Sequence, residues 1–239
     1  MPEFRSRKAL ANPELRRRGI YILPNLFTTA ALFAGFYAIV QAMTDRFEQA
    51  AVAIFIAMIL DGLDGRVARL TRTQSAFGAE YDSLSDMVSF GVAPALVMFE
   101  WAMKGMGKWG WIAAFIYCVG AALRLARFNT NIEVVDKRFF QGLPSPAAAA
   151  LIAGFVWVLM DLNYTGEEVR WYAWALTIFA GVTMVSNFRY YSGKDINLRR
   201  SVPFIAVLAI VLFFVLVSSY PPGILFALFL CYAFSGYIM

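Results

Sequence analysis

Four aspartates within residues 61–86 form the part of this chain best suited to chemistry. Asp61 and Asp64 are three residues apart, and Asp82 and Asp86 are four apart, so each pair shares one helix face if both flanks are helical. Two such helices would bring the four carboxylates to a common point. Carboxylates at membrane depth are costly, and long apolar runs flank the segment. We therefore expect the cluster to bind cations or to move charge.

The composition indicates that apolar helices position this cluster. Of the 239 residues, 60% are hydrophobic and 15% are charged, whereas soluble domains have about 45–50% apolar and about 25% charged residues. We predict an all-α polytopic membrane protein with about eight transmembrane helices. Each of eight apolar runs approaches the roughly 20 residues that a bilayer requires. They lie at about 24–43, 48–68, 77–101, 109–128, 145–161, 169–188, 202–219 and 221–238.

Prolines mark two of the predicted boundaries. Pro24 suits the first position of a helix, so the first span is expected to begin there. The breaker Pro221-Pro222-Gly223 is expected to separate the last two spans. Residues 1–23 are basic and are expected to form a cytoplasmic tail, either solvated or folded as an interfacial helix on anionic lipid. Residues 24–239 are expected to form a single transmembrane domain that carries the aspartate cluster.

The loop charges predict how the spans are oriented. With the N-terminus in the cytoplasm, 17 Lys and Arg residues fall on the cytoplasmic side and 4 on the other side. Both termini are then cytoplasmic, and residues 61–86 lie at the cytoplasmic ends of two spans. This distribution argues against nucleic acid as a partner, although the net charge is +5. We expect a bacterial or archaeal cytoplasmic (inner) membrane, with the active site on its cytoplasmic side.

The residue types limit the chemistry. The chain has no histidine, which excludes a His-based hydrolase, and its two cysteines, Cys118 and Cys231, lie inside apolar runs. Carboxylates suit hard cations such as Mg²⁺ or Mn²⁺, and four of them would suit two ions about 3.5–4 Å apart. Two alternatives stay open: transport of a cation or proton, and salt bridges with nearby arginines. Those arginines are Arg66, Arg69 and Arg72.

The spacing of the cluster carries a family resemblance. The chain resembles the CDP-alcohol phosphotransferase family, position for position, in the run Asp61-x2-Asp64-Gly65-x2-Ala68-Arg69-x8-Gly78-x3-Asp82-x3-Asp86. The surrounding chain resembles one branch of that family, the membrane-integral phosphatidylserine synthases. This second resemblance rests on PNLFT (24–28), SFGVAPA (89–95), RLARFN (124–129), GLPSPAAA (142–149) and SNFRYYSGKD (186–195).

The resemblance implies a metal-dependent transfer of the phosphatidyl group from CDP-diacylglycerol to the hydroxyl of L-serine, with release of CMP. It implies two Mg²⁺ or Mn²⁺ ions held by the four aspartates, with Asp86 also acting as the general base. It further implies a homodimer. Glycerol 3-phosphate, inositol phosphate or choline stays open as the acceptor, because acceptor choice rests on the weaker motifs.

The resemblance also implies a nucleotide pocket. Its residues would be Gly65, Ala68, Arg69 and Gly78. Asn25 and Thr28 in the first span are further candidates to contact the nucleotide, with helix capping and interhelical hydrogen bonding as the alternative. One position departs from the family, because Ala31 stands where the first span of these synthases often carries another asparagine.

Recognition of serine requires a cation for its carboxylate. Basic residues at the cytoplasmic span ends could supply it, and they are Arg124, Arg127, Arg189 and Lys194. Arg124 and Arg127 lie three apart on one helix face, Asn129 follows closely, and an arginine fork suits a carboxylate. The alternative, that these charges only set the topology, is strongest for Lys194.

Overall fold

The computed structural model describes residues 13–71, 73, 75–130, 139–191 and 204–238, which are mostly helical. Eight helices follow one another in these ranges: α1 Pro13–Ala42, α2 Phe47–Thr71, α3 Ala76–Met106, α4 Lys108–Thr130, α5 Ser145–Asp161, α6 Gly166–Val185, α7 Phe204–Ser219 and α8 Pro221–Ile238. Two short strands, β1 Phe139–Gln141 and β2 Arg189–Tyr191, pair antiparallel. The all-α prediction is confirmed, with this small ladder as an addition that the sequence did not indicate.

Helix α3 is continuous but irregular. Its first part, Ala76–Asp86, is α-helical and passes directly into a π-helical turn at Met87–Val92. After the α-helical Ala93–Met98, a second π-helical turn follows at Phe99–Met103, and a 3-10 turn closes the helix at Lys104–Met106. Such turns occur frequently at functional sites, and the first of them begins immediately after the last aspartate of the cluster.

Length and composition support a membrane protein. Within the described ranges, four helices are long and apolar enough to cross a membrane: Leu23–Ala42, Ala76–Met106, Lys108–Thr130 and Pro221–Ile238. Two shorter apolar helices are Ser145–Asp161 and Val207–Ser219. Helix α2 is not among them, because charged residues, including Asp61 and Asp64, interrupt its apolar stretch. The predicted apolar runs thus fall on helices, while the count of eight spans rests on the sequence alone.

Helix α1 begins at Pro13, so the predicted helix start at Pro24 is wrong. Pro24 lies inside the helix, where it lacks the N–H that would bond to the carbonyl four residues earlier. Good helix formers precede it, and the gain from continuing the helix outweighs the loss of that single bond. Residues 1–12 of the predicted tail lie outside the described residues. At the other end of the chain, Pro221 opens α8 directly after α7, as predicted.

Helix α5 is the central helix of the bundle. Most of its residues are buried, and it packs against α2, α6 and α8. Small residues allow this close approach: a Cβ atom added to Gly154 would lie 3.1 Å from Phe226 Cα of α8. Ala147–Ala150 of the same helix are also buried, so small residues serve close packing within the chain.

Helices α1 and α3 are joined by two serine hydroxyls. Ser85 Oγ donates to Thr28 O at 3.1 Å, and one turn later Ser89 Oγ donates to Ala31 O at 3.1 Å. Gly35 makes this approach possible, because a Cβ atom there would lie 2.5 Å from Ser89 Oγ. These contacts fix the end of α3 that carries Asp82 and Asp86 against the first helix.

Candidate active site

The four aspartates come together where the end of α2 meets the start of α3. One carboxylate oxygen each from Asp61, Asp64 and Asp82 lies within 4.8 Å of the others. The carboxyl group of Asp86 adjoins that of Asp61, so the four side chains form one cluster. Residues three or four apart share a helix face, and the two helices turn these faces toward each other.

Helix α1 orients Asp64. Thr28 Oγ1 donates to Asp64 Oδ2 at 2.7 Å, and Asp64 is only 5% exposed. Thr28 Oγ1 also lies 3.2 Å from Pro24 O, so its single proton is shared between a carboxylate and a carbonyl. The interhelical bond foreseen as the alternative for Thr28 is thus present, and it is made to a member of the aspartate cluster.

The cluster fits a metal centre. Asp82 Oδ1 and Asp86 Oδ1 are buried without a hydrogen-bond partner among the described residues. Buried charged oxygens without partners are strongly unfavourable, and neighbouring carboxylates repel each other. A divalent cation would relieve both effects, and a donor set made only of carboxylates suits a hard cation. Asp61, Asp64 and Asp82 are close enough to share one ion.

The salt-bridge alternative does not account for the cluster. Arg66 and Arg69 are exposed, and within the described residues neither of them forms an ion pair with an aspartate. Arg72 lies outside the described residues, as does Lys194.

A cavity of about 270 Å³ opens beside Asp64 and Asp82. The residues predicted for the nucleotide that line it are Asn25, Thr28, Gly65, Ala68 and Gly78. The sixth predicted residue, Arg69, is not part of this lining, and its Nη2 atom lies 4.0 Å from a Cβ position built on Gly65. The cavity and the carboxylates therefore form one continuous site.

Two polar cavity residues were missed in the sequence, Thr73 and Ser75. Ser75 is the N-cap of α3, and its Oγ accepts a hydrogen bond from Gly78 N at 3.0 Å. A serine at the start of a predicted helix is a recognisable cap signal and could have drawn attention to it. A Cβ atom on Gly78 would lie 3.1 Å from Ser75 Oγ and 3.5 Å from Asn25 Oδ1, so glycine keeps this wall open.

Arg124 is the predicted serine-binding residue that reaches the cluster. It interacts electrostatically with Asp86 and Asp61, and its Nη1 donates to Ser145 Oγ at the start of α5. Tyr232 of α8 contributes to the electrostatic surroundings of the guanidinium, which the sequence did not reveal. Arg124 thus places a partly buried cation on the α4 side of the aspartates.

The other predicted serine-binding residues have different surroundings. Arg127 Nη1 donates to Asn187 Oδ1 at 3.1 Å, which joins α4 to the segment after α6. Asn129 Nδ2 donates to Ser83 Oγ at 3.0 Å, which joins α4 to α3. Arg189 is exposed on β2. The hydrogen bonds of Arg127 and Asn129 connect structural elements near the site rather than reaching the carboxylates.

The arrangement can hold an anionic ligand next to a reacting group. Carboxylates that bind a divalent cation would attract phosphate oxygens, and the adjacent cavity has space for the rest of such a ligand. A carboxylate with a free buried oxygen could accept a proton, and Arg124 could hold a second anionic group. These properties suit transfer of a phosphoryl-type group to an acceptor.

Comparisons with known proteins agree with this chemistry. Residues 21–183 match the family model described as CDP-alcohol phosphatidyltransferase. The CDP-diacylglycerol–serine O-phosphatidyltransferase of Helicobacter pylori strain 26695 is 40% identical over 181 residues, which cover 74% of this chain and 75% of that protein. The protein of the same name from Mycobacterium bovis is 39% identical, over 71% of this chain and 60% of its own length. That from Methanocaldococcus jannaschii is 41% identical, over 57% and 61%.

Proposed function

The chain belongs to the CDP-alcohol phosphatidyltransferase family, and we propose that it transfers the phosphatidyl group of CDP-diacylglycerol to L-serine, giving phosphatidylserine and CMP. The observation that carries this proposal is the cluster of four carboxylates beside a cavity lined by Asn25, Gly65 and Gly78. The names of the relatives support serine as the acceptor.

The chain's own residues account for the binding steps. Asp61, Asp64 and Asp82, with Asp86 beside them, would hold Mg²⁺ or Mn²⁺, and we propose two ions. When bound, the ions would neutralise the diphosphate and the CMP leaving group. Thr28 holds the Asp64 carboxylate in place through its 2.7 Å hydrogen bond. The glycines at positions 65 and 78 have no side chains, so they leave space for a nucleotide at the cavity wall.

The transfer itself is a displacement at phosphorus. The serine hydroxyl oxygen forms a bond to the phosphorus of the phosphatidyl group, and the bond from that phosphorus to the CMP oxygen breaks. The hydroxyl proton passes to Asp86, whose Oδ1 is buried and has no hydrogen-bond partner among the described residues. The Arg124 guanidinium would hold the serine carboxylate.

The same proposal includes the setting of the enzyme. Residues 24–239 would form one catalytic domain of eight spans in a bacterial or archaeal inner membrane, with both termini and the active site on the cytoplasmic side. The loop charges support this orientation, with 17 basic residues on one side and 4 on the other. A homodimer is proposed from the family resemblance.

A CMP-release assay tests the proposal. Purified protein is given CDP-diacylglycerol in mixed micelles with Mg²⁺ or Mn²⁺, and serine, glycerol 3-phosphate, inositol phosphate and choline are compared in parallel. We expect release of CMP with serine, and an Asp82→Asn variant controls for contaminating enzymes. Release with a different alcohol alone would show the acceptor to be wrong. No release with any alcohol would refute the enzyme itself.

A further inference from the structure

The first π-helical turn of α3 sets the direction in which the aspartate end of that helix faces. The turn, Met87–Val92, follows directly after Asp86. Ala93 N donates to Val88 O, five residues earlier instead of four, so one turn of the helix holds an additional residue. An α-helix rotates by about 100° per residue. The additional residue therefore changes the direction of the preceding side chains relative to the rest of α3 by about that angle.

Pro94 deprives this turn of one backbone donor. In a regular α-helix, the N–H of residue 94 would donate to Phe90 O, but proline has no N–H. Phe90 is fully buried, so its carbonyl is out of reach of bulk water. A buried carbonyl without a partner is costly. The turn is therefore more stable when another element supplies the missing donor.

Tyr117 of α4 supplies that donor. Its hydroxyl donates to Phe90 O at 3.1 Å, and the whole residue is buried. The backbone of Tyr117 is packed against α6, because a Cβ atom on Gly181 would lie 2.9 Å from Tyr117 Cα. One turn further along α4, Ala121 contacts the π-helical turn: a Cβ atom on Gly91 would lie 3.2 Å from Ala121 Cβ. The glycines thus let α4 approach closely enough for the hydroxyl to reach the carbonyl.

The aspartate end of α3 is consequently held from two sides. Ser85 and Ser89 bond it to α1, and Tyr117 bonds it to α4. These contacts flank Asp86, whose Oδ1 atom is buried without a hydrogen-bond partner among the described residues. Because no hydrogen bond holds this oxygen, its direction depends on the backbone that carries it.

We propose that Tyr117 is a positioning residue for the aspartate cluster. Its hydroxyl replaces the N–H that Pro94 lacks, stabilises the π-helical turn, and so keeps Asp82 and Asp86 facing α2. The catalytic consequence rests on the proposed function, in which Asp86 accepts the serine proton. The consequence for metal binding rests on the cluster alone.

The first test is a Tyr117→Phe variant, which removes only the hydroxyl. We expect kcat to fall about tenfold while both KM values stay within about twofold, because a displaced base slows proton transfer without weakening substrate binding. The Mn²⁺ concentration that gives half of the rise in thermal midpoint should increase about tenfold. Tyr190→Phe is the matched control, because Tyr190 is also fully buried and its hydroxyl donates to the backbone carbonyl of Ala233 at 2.7 Å. That control should lower the thermal midpoint similarly and leave kcat and the response to Mn²⁺ unchanged.

The second test separates positioning from stability. Pro94→Ala restores the backbone N–H, so Phe90 O can gain a partner without Tyr117. The double variant Pro94→Ala/Tyr117→Phe should therefore recover the thermal midpoint that Tyr117→Phe loses. Its kcat should stay low, because a regular α-helix through this turn carries the aspartates in a different direction. Recovery of kcat together with the midpoint would show that Tyr117 only stabilises the fold.

The remaining outcomes distinguish this inference from the proposed function. A Tyr117→Phe variant with wild-type kcat and Mn²⁺ response, or one that loses no more activity than Tyr190→Phe, refutes the role of Tyr117. If Tyr117→Phe does not fold, Pro94→Ala alone decides: it should lower kcat without lowering the thermal midpoint, and a wild-type kcat refutes the proposal. If the wild type releases no CMP, the proposed function fails, and the Mn²⁺ measurements still decide the role of Tyr117. A wild type that does not respond to Mn²⁺ either refutes both.

Discussion

Thr28 is expected to tune the metal centre from a different helix. Replacing it with valine keeps the branched shape and removes the hydroxyl that donates to Asp64 Oδ2 at 2.7 Å. A hydrogen bond to a charged group contributes about 1.5–3 kcal/mol, which corresponds to roughly 10- to 150-fold in an equilibrium constant. The Thr28–Asp64 hydrogen bond is present with or without the metal. Its removal therefore lowers metal affinity only because the Asp64 carboxylate is no longer held in the orientation that binds the ion. We therefore expect metal affinity to fall about 10- to 100-fold, as for other residues behind metal ligands.

The assay is the Mn²⁺ concentration that gives half-maximal CMP release, together with the rise in thermal midpoint that Mn²⁺ causes. Thr28→Ser restores the hydroxyl and should recover most of the affinity. Thr29→Val is the matched control, because Thr29 bonds to Tyr81 and to Asn25 O instead of to the cluster. A Thr28→Val variant with wild-type values in both measurements would refute the role of Thr28 in orienting Asp64.

Three further predictions concern the base, the metal and the helix contact. Asp86→Asn should lower kcat about 100-fold or more, because the variant cannot accept the serine proton, and wild-type CMP release would disprove this assignment. Removal of metal with EDTA should stop CMP release and lower the thermal midpoint of the wild type, whereas Asp82→Asn should show a smaller shift in midpoint. Gly35→Ala should lower the thermal midpoint, because its Cβ would lie 2.5 Å from Ser89 Oγ, whereas Gly105→Ala, which meets nothing within 4 Å, should not.

The clustering of the aspartates was predictable because its information is local. Helical spacing brings Asp61 to the same face as Asp64, and Asp82 to the same face as Asp86, and a short link between the helices leaves little freedom in how the faces meet. The structure agrees by bringing three carboxylate oxygens within 4.8 Å of one another. The apolar runs likewise predict helices, because a helix that crosses a bilayer requires roughly 20 apolar residues.

The features that the sequence did not predict correctly depend on contacts between residues far apart in the chain, or on competing local preferences. The strands β1 and β2 are three residues each, and about fifty residues of chain separate them, so no local sequence pattern predicts their pairing. Pro24 favours the start of a helix, but α1 continues through it from Pro13. Arg124 and Arg127 look equivalent in the sequence, and only the fold shows that one lies near Asp86 while the other bonds to Asn187.

The two serine hydroxyls between α1 and α3 set the axial register of the catalytic helices. Ser85 and Ser89 are one turn apart and bond to carbonyls one turn apart, so a slide of α3 by about 5.4 Å would break both bonds together. Movement of α3 against α1 would also shift Asp82 relative to Asp64, which Thr28 of α1 holds. Sliding of α3 along its axis relative to α1 is therefore disfavoured. Any opening of the site that slides α3 along α1 would therefore cost both hydrogen bonds.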